Sequence, residues 1–459
     1  MDKQLHRLIR AYDFPGPRYT SYPPAPLFSS SFSASDCREA IVKTETTREH
    51  RDISLYFHIP FCDSLCYFCG CTTIISQNAD MMSRYLKYVK KEIDLLSPLI
   101  DTSREVDQMH WGGGTPTSLT PSQIEDLGLY IRNAFKVRDT AEAGVEIDPR
   151  DISFHHLKAL RSIGFNRISM GVQDFDPRVQ QAVNRNQSEF KTRQAVDWGR
   201  ELGFQSLNID LIYGLPMQTV DSFNRTLDKI IDISPERIAV YNFAYVPWIK
   251  KHQRLIHTED LPSPETKLSI LTSTIERLID AGYVYIGMDH FAKPDDELAV
   301  SQRNKTLNRN FQGYSTKAGA DLYGIGLSAI SHFGTYYAQN AKTLHEYYLA
   351  LDSGNFATHV GYEMTPDDEI RKFVIMKLMC QLTLEKSIVE KKFDIVFDEY
   401  FSESIEALQP LINDGLIVET DDAVTVTNEG RLFLRNIALC FDAYTAKVPQ
   451  AKPLYSRTI

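Results

Sequence analysis

The sequence predicts an α/β fold: a partial, three-quarter (β/α)6 TIM-like barrel with an N-terminal extension and a mainly helical, winged-helix-like C-terminal domain. Three observations predict it. Between residues 52 and 281, strand-like and helix-like stretches alternate six times, as in a parallel sheet with helices outside it. Six units are too few for the closed eight-stranded barrel, so the sheet stays open. Beyond residue 364, short helices and one hairpin replace the alternation.

Residues 1–50 read as irregular, because Pro15, Pro17, Pro23 and Pro24 surround Arg18-Tyr-Thr-Ser-Tyr22, whose aromatics predict packing on another element. Asp52–Ile59 alternates and is rich in strand formers, a first strand feeding a cysteine loop. Met82, Leu86, Val89, Ile93 and Leu96 then recur at helical spacing over about 80–96, with Pro98 as the stop. Val106–Trp111 is the second strand, and Thr120-Pro-Ser-Gln123 opens a helix with a capping box. Val145–Ile147 and a helix over Ser153–Ile163 form the third unit, closed by Gly164. Strands Arg167–Val172, Leu207–Tyr213 and Arg237–Phe243 precede helices at 190–202, 219–232 and from Ser263-Pro264 to about 281. Val284–Asp289 and Asp321–Ile330 read as further strands around the loop Asn308–Ser315. In the C-terminal part, Gly415–Val426 forms a hairpin about an Asp-Asp turn and a helix spans about 429–441.

Composition is that of a globular protein, with 43% hydrophobic and 24% charged residues. A net charge of −10 and the lack of a basic recognition helix argue against nucleic acid as a partner. No signal peptide or apolar span of membrane length is visible, so a cytoplasmic, reducing setting is expected.

Four of the seven cysteines lie within ten residues, Cys62, Cys66, Cys69 and Cys71, in the run His58–Cys71. The first three form C-x3-C-x2-C. Such a loop can bind three irons of a [4Fe–4S] cluster and leave the fourth open. S-adenosylmethionine (SAM) fits an open iron through its amino and carboxylate groups, and reductive cleavage of its sulfonium would release a 5′-deoxyadenosyl radical. A structural zinc site usually pairs two separate knuckles, and disulfides do not suit a reducing setting. Cys71 stays open between ligand, catalytic thiol and packing residue.

Other candidates sit where strands end, the working face of such barrels. Trp111-Gly-Gly-Gly-Thr-Pro116 closes the second strand, and its glycines suit close approach to a ligand, with a tight turn as the bland alternative. Glu146 and Asp148 end the third strand, Gln173 and Asp174 the fourth. Asp210 lies within the fifth, where a carboxylate needs a ligand or a partner such as Arg185.

These stretches resemble the oxygen-independent coproporphyrinogen III oxidase (dehydrogenase) family of radical SAM enzymes. The resemblance rests on Arg18–Pro23, Tyr56–Cys71, His110–Pro116, Glu146–Arg150, Phe165–Asp174, Asn208–Pro216, Gly287–Phe291, Arg309–Tyr314 and Tyr455–Ile459, and so on essentially the whole chain. The haem-chaperone branch shares the cysteine loop but typically lacks the C-x-C ending and the Tyr-Thr-Ser-Tyr-Pro segment, both present here. That chaperone, or an enzyme acting on another tetrapyrrole, is the alternative.

The resemblance implies cluster ligation by Cys62, Cys66 and Cys69, and SAM contacts at Tyr56, Phe68, Gly113, Gly114, Thr115, Glu146, Gln173, Arg185, Asp210, Ala244 and Ile330, probed by two SAM molecules side by side. It further implies an extension over the active site (1–50), a catalytic domain (51–360) and a helical domain (361–459). Two propionates of coproporphyrinogen III would become vinyls, giving protoporphyrinogen IX in anaerobic haem biosynthesis. The expected partners are this substrate and a low-potential electron donor, and the expected state is a monomer. Arg18 and Arg309 are the candidates for holding substrate carboxylates.

Overall fold

The computed structural model describes residues 3–47, 51–101, 103–317, 319–445, 455 and 457. The six expected strands lie side by side in chain order and run parallel: β1 (Ile53–Ile59), β2 (Glu105–Gly113), β3 (Lys136–Ile147), β4 (Arg167–Gln173), β5 (Ser206–Tyr213) and β6 (Arg237–Asn242). The helices between them pack on one face. The helix Pro121–Ala134 opens with the expected capping box of Thr120 and Gln123.

The sheet extends past both ends of this run. β7 (Val284–Gly287) and β8 (His290–Ala292) form a hairpin that adds antiparallel to β6. On the far side, β9 (Asp321–Ile325) lies parallel to β1 and leads into the antiparallel strands β10 (Ile330–Phe333), β11 (Tyr336–Asn340) and β12 (Thr358–Glu363). The twelve-stranded order begins at β12 and ends at β7, so the barrel does not close.

Alternation along the strands fixes what the barrel presents inward. On β4, Ile168, Met170 and Val172 are buried, whereas Ser169, Gly171 and Gln173 are half-buried. On β5, Ile209 and Leu211 are buried and Asn208 and Asp210 half-buried. The buried set joins the helix residues Leu157, Leu160, Val196, Phe223 and Ile230 in one core. The polar set therefore lines the concave side. Burying that apolar face contributes roughly 1.5–3 kcal/mol per large side chain, and Trp111 packs edge-on against Phe165 at 5.0 Å.

A second core joins Tyr19 and Tyr22 to Ile375, Leu378, Phe397, Leu408 and Phe433, so the aromatics of the N-terminal segment pack on the C-terminal helices. There the hairpin Ile417–Glu419/Ala423–Val426 forms as expected, with Thr383–Glu385 as a third strand.

Several expectations are corrected. Residues 1–50 are not irregular throughout: Lys3–Tyr12 and Ala34–Thr47 are helices, because the prolines interrupt only the stretch between them. Asp321–Ile330 is two strands, since left-handed Gly326 and Ser328 turn the chain. The strand from Val284 ends at Gly287, and the third strand starts nine residues earlier than expected, at Lys136. Asn308–Asn310 and Gly313–Ser315 pair as a hairpin where a loop was expected. The last helix is a 3-10 segment, Glu429–Phe433, followed by Leu434–Leu439.

Candidate active site at the carboxyl ends of the strands

The cysteine loop leaves β1 at Ile59 and is held from several sides. Phe61–Cys62 pairs with Ile74–Ile75. The Thr115 amide donates to the Phe61 carbonyl at 2.7 Å and the Gly114 amide to Ile59 at 2.8 Å, which fastens the loop to the end of β2. Asn184 Nδ2 donates to the Leu65 carbonyl at 2.8 Å. From the segment after β6, Lys250 Nζ reaches the Cys71 carbonyl at 3.0 Å, His252 Nε2 the Cys69 carbonyl at 2.8 Å and Gln253 Nε2 the Phe68 carbonyl at 3.1 Å. The buried Gln253 also donates to the Ala244 carbonyl at 3.1 Å, so one amide side chain ties together two of the expected SAM contacts.

All four clustered cysteines are free thiols; Cys66 is buried, Cys62 and Cys69 half-buried and Cys71 exposed. Cys62 Sγ lies 3.4 Å from Thr115 Oγ1. Arg185 Nη1 approaches Cys66 Sγ at 3.5 Å and Arg150 Nη2 approaches it at 3.8 Å. A hydrogen bond from Cys71 lowers the pKa of the Cys69 thiol below its ordinary value and raises that of Cys71. Among the described residues, no three His, Cys, Asp or Glu side chains converge to hold one metal ion. A cluster makes no such demand, because each thiolate binds its own iron. Thiol donors beside two arginines fit an anionic iron–sulfur cluster.

Around the loop the structure brings together most of the residues expected to contact SAM. The Tyr56 ring stacks on His110 at 6.1 Å. His110 Nε2 lies 3.3 Å from the Glu146 carboxylate, which also accepts from the Gly113 amide at 3.2 Å. Burial raises the Glu146 carboxyl, but His110 and Gly113 outweigh it and hold its pKa below the ordinary value. Asp210 differs: burial pushes it up to about 7 although Asn208 Nδ2 donates to it at 2.8 Å and Ser169 Oγ at 3.3 Å. Gln173 has φ +69°, a left-handed backbone rare outside glycine, and its buried Oε1 has no hydrogen-bond partner. Ile330 stands apart on β10, against Gly324 of β9, where an added Cβ would lie 2.5 Å from the Ile330 carbonyl oxygen.

One expectation changes here. Arg185 does not pair with Asp210; it emerges beside the cysteine loop, bonds Asp148 at 3.1 Å and donates to the Gly171 carbonyl at 2.5 Å. The three glycines after Trp111 seat protein groups. A Cβ on Gly112 would lie 2.8 Å from the Glu146 carboxyl, on Gly113 2.5 Å from the His58 ring, and on Gly114 2.6 Å from the Pro60 backbone. Sequence reasoning missed Gln253, His252 and Lys250, which carry no motif, and gave no role to Arg150, whose place two residues after Asp148 was the available signal.

A radical SAM superfamily model matches residues 56–230, and a HemN C-terminal domain model matches 364–433. The oxygen-independent coproporphyrinogen III oxidase of Synechocystis sp. is 47% identical, covering 98% of this chain and 97% of its own. That of Escherichia coli is also 47% identical, over 95% and 94%. The solved structure of coproporphyrinogen III oxidase (HemN) from Escherichia coli, described as a radical SAM enzyme, superposes with a TM-score of 0.91 at 46% identity, over 96% of this chain and 98% of that one. With the cysteine loop at the strand ends and this similarity running end to end, the chain belongs to the oxygen-independent coproporphyrinogen III oxidase family of radical SAM proteins.

Proposed function

We propose that this chain converts coproporphyrinogen III to protoporphyrinogen IX without oxygen. Each of two propionates loses one hydrogen atom, CO2 and one electron passed to an acceptor, and becomes a vinyl group. The observation that carries this reading is the identity of 47% over nearly the full length of enzymes named for that activity. When bound, a [4Fe–4S] cluster on Cys62, Cys66 and Cys69, with SAM at its open iron, supplies the 5′-deoxyadenosyl radical that takes the hydrogen.

The chain's own residues position and screen. Arg150 and Arg185, themselves held by Asp148, offset thiolate charge at Cys66. Glu146, kept ionised, suits the ribose hydroxyls of SAM, whereas Asp210, near neutral, can donate as well as accept a hydrogen bond. Tyr56, Gly113, Gly114, Thr115, Gln173 and Arg185 complete this site. Phe68 and Ala244, tied by Gln253, and Ile330 across the barrel leave room in the reading for a second SAM. The reaction needs a low-potential electron donor, and a cytoplasmic monomer is the form we expect; among the described residues no helix is long and apolar enough to cross a membrane.

Anaerobic turnover tests the proposal. Reconstituted protein with reductant, SAM and coproporphyrinogen III should release two CO2 per porphyrinogen together with 5′-deoxyadenosine. If 5′-deoxyadenosine forms while the porphyrinogen stays intact, the substrate assignment fails and a chaperone-like role replaces it.

A further inference from the structure

At the opposite end of the barrel lies a cavity of about 340 Å3, within the size range of small-molecule sites. Its charge is opposite to that of the molecule. Although the chain carries −10 overall, Arg51, Arg309, Lys317, Lys372 and Lys392 line this cavity, and Glu369 is the only carboxylate among its described lining residues. Lys317 is paired with Asp107 at 2.7 Å, and Lys372 lies 2.7 Å from His332 Nε2.

Arg309 is different. It is 6% exposed, and its buried Nε and Nη1 have no hydrogen-bond partner. Its guanidinium stacks on the Tyr314 ring at 4.8 Å, a contact that orients the group but satisfies none of its N–H bonds. A buried cation with unmet donors is costly unless an anion completes it. Arg18, the other arginine considered for substrate carboxylates, is already paired with Asp289.

The register ties this cavity to the active site. Ser54 of β1, Leu322 of β9 and His332 of β10 are paired across three strands and line the cavity. Tyr56, paired with Gly324, follows Ser54 by two residues, and Ile330 precedes His332 by two. Side chains two apart share a face, so the cavity lies about 7 Å beneath the row of Tyr56 and Ile330.

Resting on the function proposed above, we infer that this cavity holds carboxylates of the substrate's non-reacting propionates, with Arg309 as their buried anchor and Arg51 and Lys392 at the rim. The reacting propionate then points toward the cysteine end. Four anionic arms on one macrocycle demand such a division, because only one can meet the radical at a time.

The test is equilibrium binding of coproporphyrin III, the redox-inert fluorescent porphyrin, to the full reconstituted protein under anaerobic conditions, with its tetramethyl ester as the uncharged control. Arg309→Gln should weaken coproporphyrin III binding by about tenfold or more, and leave ester binding unchanged. Arg51 and Lys392 are exposed, so the double variant Arg51→Gln/Lys392→Gln folds independently of the buried arginine. It should weaken binding by about two- to fivefold and blunt its salt dependence, and it decides the matter if Arg309→Gln proves unfolded by circular dichroism. Wild-type affinity in the folded variants, while the wild type still turns over coproporphyrinogen III, overturns this inference and leaves the function standing. A wild type that neither binds the porphyrin nor turns over its reduced form overturns both.

Discussion

The two ends of the barrel are built on opposite principles. At the carboxyl end, a short run of sequence supplies the chemical groups and the surroundings satisfy them: the cysteine-loop carbonyls at Leu65, Phe68, Cys69 and Cys71 each accept from a side chain of another segment. At the amino end, groups from residues 51, 309, 317, 372 and 392 meet in one cavity, and its buried arginine is left unsatisfied. The first end holds its cysteine loop from several sides; the second leaves both the Nε and the Nη1 of its buried arginine without a partner. Affinity for a bound group requires preorganised donors, and the two ends supply them from one loop and from four separated segments.

The largest effect should come from the cysteines. Replacing Cys62, Cys66 or Cys69 by Ala should reduce bound iron and 5′-deoxyadenosine formation to background, whereas Cys71→Ser should retain iron; iron and sulfide analysis separates these outcomes. Equal loss in all four would merge Cys71 into the ligand set and break the assignment.

The next effect is backbone strain at the β2 terminus. Gly113 has φ +109° with the His58 ring where a Cβ would sit, so Gly113→Ala should cost about 2–4 kcal/mol in denaturant unfolding. Gly203→Ala, also left-handed but with nothing within 4 Å, should cost about 1 kcal/mol. Similar losses at both positions would mean that the His58 contact adds nothing to the conformational cost.

Gln253→Ala removes the donor to Phe68 and Ala244 and the acceptor of the Val246 amide. It should destabilise by about 1–3 kcal/mol and speed iron loss to a chelator. Unchanged iron retention would show that the loop does not depend on this clamp.

The most pH-specific effect concerns Asp210. Its carboxyl is raised by burial to about 7 in the fold against about 3.9 unfolded. The folded state therefore binds the extra proton, and stability falls as pH rises from about 4 to 7 and levels off above. Asp210→Asn removes this slope, so its stability relative to wild type should climb across that window; a flat difference would mean an ionised Asp210.

How much of this was legible in the sequence follows the same division. The six β/α units and the cysteine loop were readable because strand alternation, capping and thiol spacing are local signals. Gln253 and Arg51 were not, since a lone glutamine or arginine carries no mark of what it will meet across the fold. The Arg185–Asp210 pairing was misplaced for the same reason: chemistry limits an arginine to carboxylates, but tertiary structure chose Asp148. At the amino terminus, a cluster of prolines concealed two flanking helices whose burial depends on partners hundreds of residues away, as the hydrogen bond from the Tyr12 hydroxyl to Asp414 illustrates.

The most direct measurement uses coproporphyrinogen III deuterated at the propionate β-carbons in an anaerobic turnover, with 5′-deoxyadenosine read by mass spectrometry. The account predicts deuterium in the 5′-deoxyadenosine together with vinyl product. Unlabelled 5′-deoxyadenosine alongside vinyl product would contradict it, because the hydrogen would then have been taken from elsewhere.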